Sequence, residues 1–119
     1  MNDKEKMIEL VKALDAKKAR DIAVIDVEAG TIIATYFVIA TGGSLTQLNA
    51  LSDEAQDVMA QKGSPAVKVE GRGDGGWILV DFGGVILHLF TAQNREFYDL
   101  ERLWSESPKV DINELLKED

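Results

Sequence analysis

Trp77-Ile78-Leu79-Val80-Asp81-Phe82-Gly83-Gly84-Val85-Ile86-Leu87-His88-Leu89-Phe90 is the stretch that decides the fold. Two β-prone runs flank a Gly-Gly pair. A two-residue hairpin turn needs positive φ at both central positions, which glycine adopts at little steric cost. The turn sets the register: Phe82 faces Val85, Val80 faces Leu87 and Ile78 faces Leu89. Side chains alternate along a strand, so these six residues share one face, and all six are apolar. The other face pairs Trp77 with Phe90, Leu79 with His88 and Asp81 with Ile86. The first face is predicted to be core beneath helices. The second mixes aromatics, the single histidine and a carboxylate, and a working surface is expected there.

Upstream of the hairpin, Val67 to Glu70 reads as a short strand, and Gly71-Arg72-Gly73-Asp74-Gly75-Gly76 is too rich in glycine to be anything but a loop. Further back, Tyr36-Phe37-Val38-Ile39-Ala40 is an unbroken apolar run, the pattern of a strand buried on both faces. After Thr41-Gly42-Gly43 the period changes. Leu45, Leu48, Leu51, Ala55, Val58 and Met59 follow helical spacing to about Lys62, with Ser44 as N-cap and Gly63 just past the C-terminus. Asp21 to Val27 is a strand, ended by Glu28-Ala29-Gly30. Residues 3 to 19 form an amphipathic helix with Met7, Leu10, Val11 and Leu14 on its apolar stripe.

Downstream, Thr91 to Trp104 is predicted to be one helix. Phe97, Leu100, Leu103 and Trp104 form its stripe, with Tyr98 and Glu101 to one side. Ser107-Pro108 ends it, and Asp111-x-x-Glu114 starts a short tail helix using Ile112, Leu115 and Leu116. The expected organisation is one domain over residues 1–107 and a tail over 108–119. The fold class is α/β, a mixed sheet of about five strands with helices packed mainly on one side.

Composition narrows the functions. A chain of 119 residues supports a single core. Its net charge of −8 argues against indiscriminate binding to a phosphate backbone and favours steered encounter with a basic partner. Zero cysteines and one histidine leave little for a metal centre or redox chemistry, and no cofactor is expected. No apolar run approaches the roughly 20 residues that span a bilayer. The start, Met-Asn-Asp-Lys-Glu-Lys, has neither a signal-peptide core nor the character of a transit peptide, so the chain reads as cytosolic.

Three arrangements raise the question of catalysis. A strand, then Gly42-Gly43-Ser44, then a helix can hold an anion at the helix N-terminus, but no Lys-Ser or Lys-Thr follows, so this is not a Walker loop. The same loop resembles the opening of nucleotidyltransferases, in which acidic residues on a following strand hold metal ions. Here Asp53, Glu54 and Asp57 lie on a predicted helix and cannot make that alternating pair. Asp21, Asp26 and Glu28 read as strand-end residues rather than metal ligands. Asp81 and His88 are diagonal neighbours across the hairpin, within reach of a hydrogen bond. A hydrolase would also need a nucleophile on an exposed turn and an oxyanion hole, and Ser44, the one hydroxyl on a suitable loop, ends a different strand.

Several motifs together resemble the ribosomal silencing factor, or Iojap, family. They are Ala13-Leu14-Asp15-Ala16-Lys17-Lys18-Ala19, Tyr36-Phe37-Val38-Ile39-Ala40-Thr41-Gly42, Val69-Glu70-Gly71, Gly76-Trp77-x-Leu79-x-Asp81-Phe82-Gly83, His88-x-Phe90, and Arg95-x-Phe97-Tyr98-x-Leu100-Glu101-x-Leu103-Trp104. The resemblance covers residues 5 to 105. It implies a nucleotidyltransferase-like fold without the catalytic carboxylates, and a non-enzymatic role. Such factors bind large-subunit ribosomal protein L14, block joining of the small subunit when nutrients are scarce, and often form homodimers. Residue by residue, the resemblance assigns partner contacts to Trp77, Asp81, His88, Tyr98 and Glu101. Thr46, Gly43 and Gly84 depart from the arginine, threonine and aspartate common at those positions. The alternative function is a nucleotide-binding or nucleotidyltransferase enzyme using the Gly42-Gly43-Ser44 loop.

Overall fold

The computed structural model describes residues 1–71 and 75–117. Arg72-Gly73-Asp74, the middle of the expected glycine-rich loop, and Glu118-Asp119, the end of the tail, lie outside the described residues. The elements in chain order are α1 (Asp3–Ala16), β1 (Arg20–Asp26), β2 (Ala34–Gly42), α2 (Leu45–Gln61), β3 (Lys68–Glu70), β4 (Trp77–Asp81) and β5 (Gly84–Thr91). They continue with α3 (Ala92–Tyr98), α4 (Leu100–Leu103), β6 (Lys109–Val110) and α5 (Ile112–Leu116).

The hairpin forms in the register set by its glycines. Trp77 pairs with Phe90, Ile78 with Leu89, Leu79 with His88, Val80 with Leu87 and Asp81 with Ile86. Gly83 and Gly84 both have positive φ, and Phe82 N–H donates to the Val85 carbonyl at 2.9 Å to close the turn. Among the described residues the sheet has six strands in the order β3-β4-β5-β2-β1-β6. β2 and β5 run parallel at its centre, and every other pairing is antiparallel.

Helices α1 and α2 cover one face. Met7, Leu10, Val11 and Leu14 of α1 and Leu48, Leu51, Ala55 and Met59 of α2 pack with Val38, Ile78, Val80, Phe82, Val85, Leu87 and Leu89 into one cluster. Both caps form as expected of those residue types. Asn2 and Glu5 close a capping box on α1, and Ser44 Oγ accepts from Gln47 N–H at 3.0 Å on α2. The central strand β2 is buried on both sides, with Val38 and Ala40 in the first cluster and Phe37 and Ile39 in a second.

The second cluster lies on the opposite face. Ile25, Val27, Ala34, Phe37, Ile39, Ile86 and Phe90 form it, edged by Trp77, Leu79, Leu100 and Trp104. Two expectations are corrected here. The helix predicted over 91–104 breaks at Asp99, whose φ of 47° and ψ of 54° are left-handed, a conformation that Asp tolerates better than most residues. The break turns Phe97 and Leu103 away from the sheet, and each is 77% exposed. Only Leu100 and Trp104 of the predicted stripe pack inward. The sixth strand was also not legible. Lys109–Val110 pairs with Ile25–Val24 of β1 and brings α5 against α1, so residues 108–117 extend the sheet and the first core cluster.

Candidate docking site

The site grows from the hairpin's second face. Trp77 opens β4 after two glycines that are tied to the next helix. Asn94 Nδ2 donates to the Gly75 carbonyl at 2.9 Å, and Thr91 N–H donates to the Gly76 carbonyl at 3.0 Å. Thr91 is also the N-cap of α3, accepting from Asn94 N–H at 3.2 Å. The start of β4 and the start of α3 are therefore held as one unit. That brings the Trp77 and Tyr98 rings together, with centroids 4.5 Å apart. Phe90 lies 5.0 Å from Trp77, and Phe97 meets Tyr98 edge-on at 5.0 Å. Tyr98 is 45% exposed and Trp77 half-buried.

Two hollows flank this aromatic ridge. A cleft of about 200 Å³ is lined by Glu70, Gly71, Trp77 and Leu79. A wider groove of about 550 Å³ lies along Glu96, Phe97, Tyr98, Asp99, Arg102 and Leu103. The centre of the surface is thus aromatic and aliphatic, and Glu70, Glu96 and Asp99 put carboxylates at its edge. Large anchors within a charged rim are the composition of protein-binding surfaces.

Arg95 braces the segment from below. Its Nε donates to Glu101 Oε1 at 2.9 Å, and Nη1 donates to Thr41 Oγ1 at 3.0 Å and to the Asp21 carbonyl. One guanidinium thereby links α3, α4 and the β1–β2 pair. Sequence spacing could not reveal this clamp, because Arg95 and Glu101 are six apart and the other partners lie far away in the chain.

The five residues assigned by resemblance do not form one cluster. Trp77 and Tyr98 touch. Glu101 is partly exposed and is held by Arg95. Asp81 lies at the far end of β4 from Trp77, where its Oδ1 accepts from Gly83 N–H at 2.8 Å, a turn-stabilising bond. His88 is only 5% exposed, beneath the ridge. The expected pairing of Asp81 with His88 gives way to another: Trp77 Nε1–H donates to His88 Nδ1 at 3.2 Å. Both diagonal neighbours were within reach. The indole has its one donor to satisfy, and the carboxylate finds the turn amide.

The Gly42-Gly43-Ser44 loop is internally satisfied. Gly43 N–H donates to Gln47 Oε1, and Gln47 N–H to Ser44 Oγ. Asp53, Glu54 and Asp57 are on α2 as expected, and among the described residues no three His, Cys, Asp or Glu side chains are grouped to hold a metal ion. Gly84 lies against the Asp3 carboxylate. A Cβ at Gly84 would collide with it, so a side chain there would displace the Asp3 carboxylate, which accepts from Thr35 Oγ1 at 2.6 Å.

Fold and face define a class: an α/β domain whose most developed surface is an exposed aromatic and aliphatic ridge on one side of a sheet. Within that class the chain belongs to the ribosomal silencing factor family, whose model, described as "Ribosomal silencing factor during starvation", matches residues 1–119. That match takes in residues 108–119, beyond the motifs that carry the resemblance. The chain is 36% identical over 113 residues to ribosomal silencing factor RsfS of Bacillus subtilis, covering 95% of this chain and 96% of that protein. It is 37% identical over 99 residues to mitochondrial assembly of ribosomal large subunit protein 1 of mouse, covering 81% of this chain and 43% of that protein. A crystal structure from Chromobacterium violaceum superposes with a TM-score of 0.85 at 33% identity, covering 88% of each chain.

Proposed function

We propose that this protein is a translation silencer that docks on the large ribosomal subunit through ribosomal protein L14 and sterically prevents the small subunit from joining when nutrients are limiting. The ridge of Trp77, Tyr98 and the exposed Phe97 carries the reading, because burying such large side chains against a partner is what anchors an interface. The names of the relatives, a ribosomal silencing factor and a large-subunit assembly protein, supply the partner's class. Glu70, Glu96 and Asp99 offer an acidic rim to a basic partner, while Glu101 is held by Arg95, Asp81 serves the turn at the far end of β4, and His88 serves from beneath. Action is by occupancy, with no catalysed step, and in the cytoplasm. The homodimer expected from the resemblance belongs to the same proposal, and light scattering on the purified chain tests it.

The deciding experiment is sedimentation of the purified protein with isolated large subunits, followed by subunit joining with small subunits added. Stoichiometric co-sedimentation and loss of joined ribosomes are expected. Failure to sediment with large subunits would overturn the reading. Binding of a nucleoside triphosphate with magnesium at the Gly42-Gly43-Ser44 loop would support the enzyme alternative, but Gln47 already occupies that loop's amide.

A further inference from the structure

Of the two ring nitrogens of His88, one is committed. The Trp77 indole can only donate, so the Nδ1 that accepts its proton at 3.2 Å is unprotonated, and the neutral ring carries its hydrogen on Nε2. That Nε2 is buried with no hydrogen-bond partner among the described protein atoms. The ring is walled by Phe37, edge-on at 4.8 Å, by Trp77 at 5.9 Å and by Phe90, parallel at 6.3 Å. Its backbone is fixed on both sides, paired with Ile39 of β2 and Leu79 of β4. Flipping the imidazole would put a carbon opposite the indole N–H, and protonating Nδ1 would replace the acceptor with a donor.

A buried polar atom without a partner is a cost the fold would avoid by placing an apolar side chain here. The benefit of the imidazole lies in its other nitrogen, which faces a half-exposed tryptophan. We infer that His88 is a positioning residue: it touches no partner, and it holds the Trp77 indole in a single orientation on the docking ridge by accepting its N–H. This rests on the docking reading only for its consequence. The orientation itself is a property of the free protein.

Two measurements on the full chain test it. In the native protein, nitrogen NMR of the His88 imidazole should show the tautomer with the proton on Nε2, with a coupling across the hydrogen bond to the Trp77 indole nitrogen. The Trp104→Phe variant assigns the indole signal. The opposite tautomer, or no coupling, would overturn the inference whatever any variant does.

The second measurement is a cycle of His88→Phe, Trp77→Phe and the double variant, with His88→Asn as rescue because its amide oxygen can stand where Nδ1 was. His88→Phe should loosen the indole, seen as lower near-ultraviolet dichroism and faster side-chain relaxation, and weaken large-subunit binding about tenfold, the scale of one lost hydrogen bond. His88→Asn should recover most of the indole signature. In the Trp77→Phe background the same His88→Phe change should leave binding unmoved. A folded His88→Phe protein with an unchanged indole signal, or an undiminished binding penalty in the Trp77→Phe background, would overturn the inference. Absence of binding by the native chain would overturn the docking reading and leave the NMR result to stand.

Discussion

At Tyr98 the ring packs against Trp77 at a tilt of 46° while the residue stays 45% exposed. Truncation to alanine should therefore cost binding more than folding: about 2 kcal/mol or more at the interface, against about 1 kcal/mol of stability from the lost ring contacts. Tyr98→Phe keeps the ring and should be milder on both counts. Thermal unfolding and subunit-joining inhibition, measured on both variants, check this, and full inhibition by a stably folded Tyr98→Ala would remove the residue from the site. Phe97 and Leu103 extend the same logic. Each is largely exposed, so Phe97→Ser or Leu103→Ser should move stability by no more than about 0.5 kcal/mol while weakening large-subunit binding.

His88 makes a pH-dependent contribution of known sign. Burial lowers its pKa from 6.5 to about 4. Between those values the unfolded chain binds the proton and the folded chain does not, so stability rises with pH across that window and is lost as pH falls through it. The loss should approach roughly 3 kcal/mol by the lower end. The walls are apolar from β2, through Phe37 and Ile39. From β4 they are Trp77 and Leu79, with Asp81 at the diagonal, and Tyr98 of α3 lies over Trp77. Denaturant titrations of native protein and His88→Phe between pH 7 and 5 should give a steeper decline for the native chain, and parallel curves would refute the assignment.

Elements differ in how plainly the sequence announces them. The hairpin register followed from Gly83-Gly84 alone, because a two-residue turn leaves no freedom in which side chains face each other. The helix over 91–104 had good spacing and still broke, because one left-handed residue at Asp99 satisfies no local pattern and shows only in how Arg95 and Glu101 close across it. The ridge was half legible. The hairpin face and the resemblance point to Trp77 and Tyr98, while spacing alone puts Phe97 and Leu103 on an apolar stripe that the break at Asp99 turns outward. Strand β6 is two residues long and owes its place to the exposed edge of β1, which no local signal encodes. It also makes a prediction. Deleting residues 108–119 should uncover that edge and the contacts of Ile112, Leu115 and Leu116 with α1 and the core, lowering the unfolding temperature and promoting self-association. Calorimetry and light scattering at several concentrations check both.

The whole molecule carries a net charge of −8, with carboxylates rimming the ridge. If the partner is the basic ribosomal protein proposed above, encounter should be electrostatically steered. The association rate should fall as salt rises, and the dissociation rate, set by the aromatic anchors, should change less. Stopped-flow measurements across an ionic-strength series read this directly, and a flat on-rate would count against steering.

The sheet's centre has a kinetic consequence. β2 and β5 pair in parallel although Ala34 and Gly84 are about fifty residues apart, whereas β4 and β5 meet through a two-residue turn. The hairpin can close within microseconds, while the central pair must first bring distant segments together and wait for the α2 crossover between them. During synthesis β2 would leave the ribosome with both faces apolar, able to pair with β1 but well before its parallel partner β5 exists. Until residues 92–110 are free as well, this chain has neither the ridge residues Phe97 and Tyr98 nor its last strand, β6. A protein that silences ribosomes would then be unable to act on the one still making it.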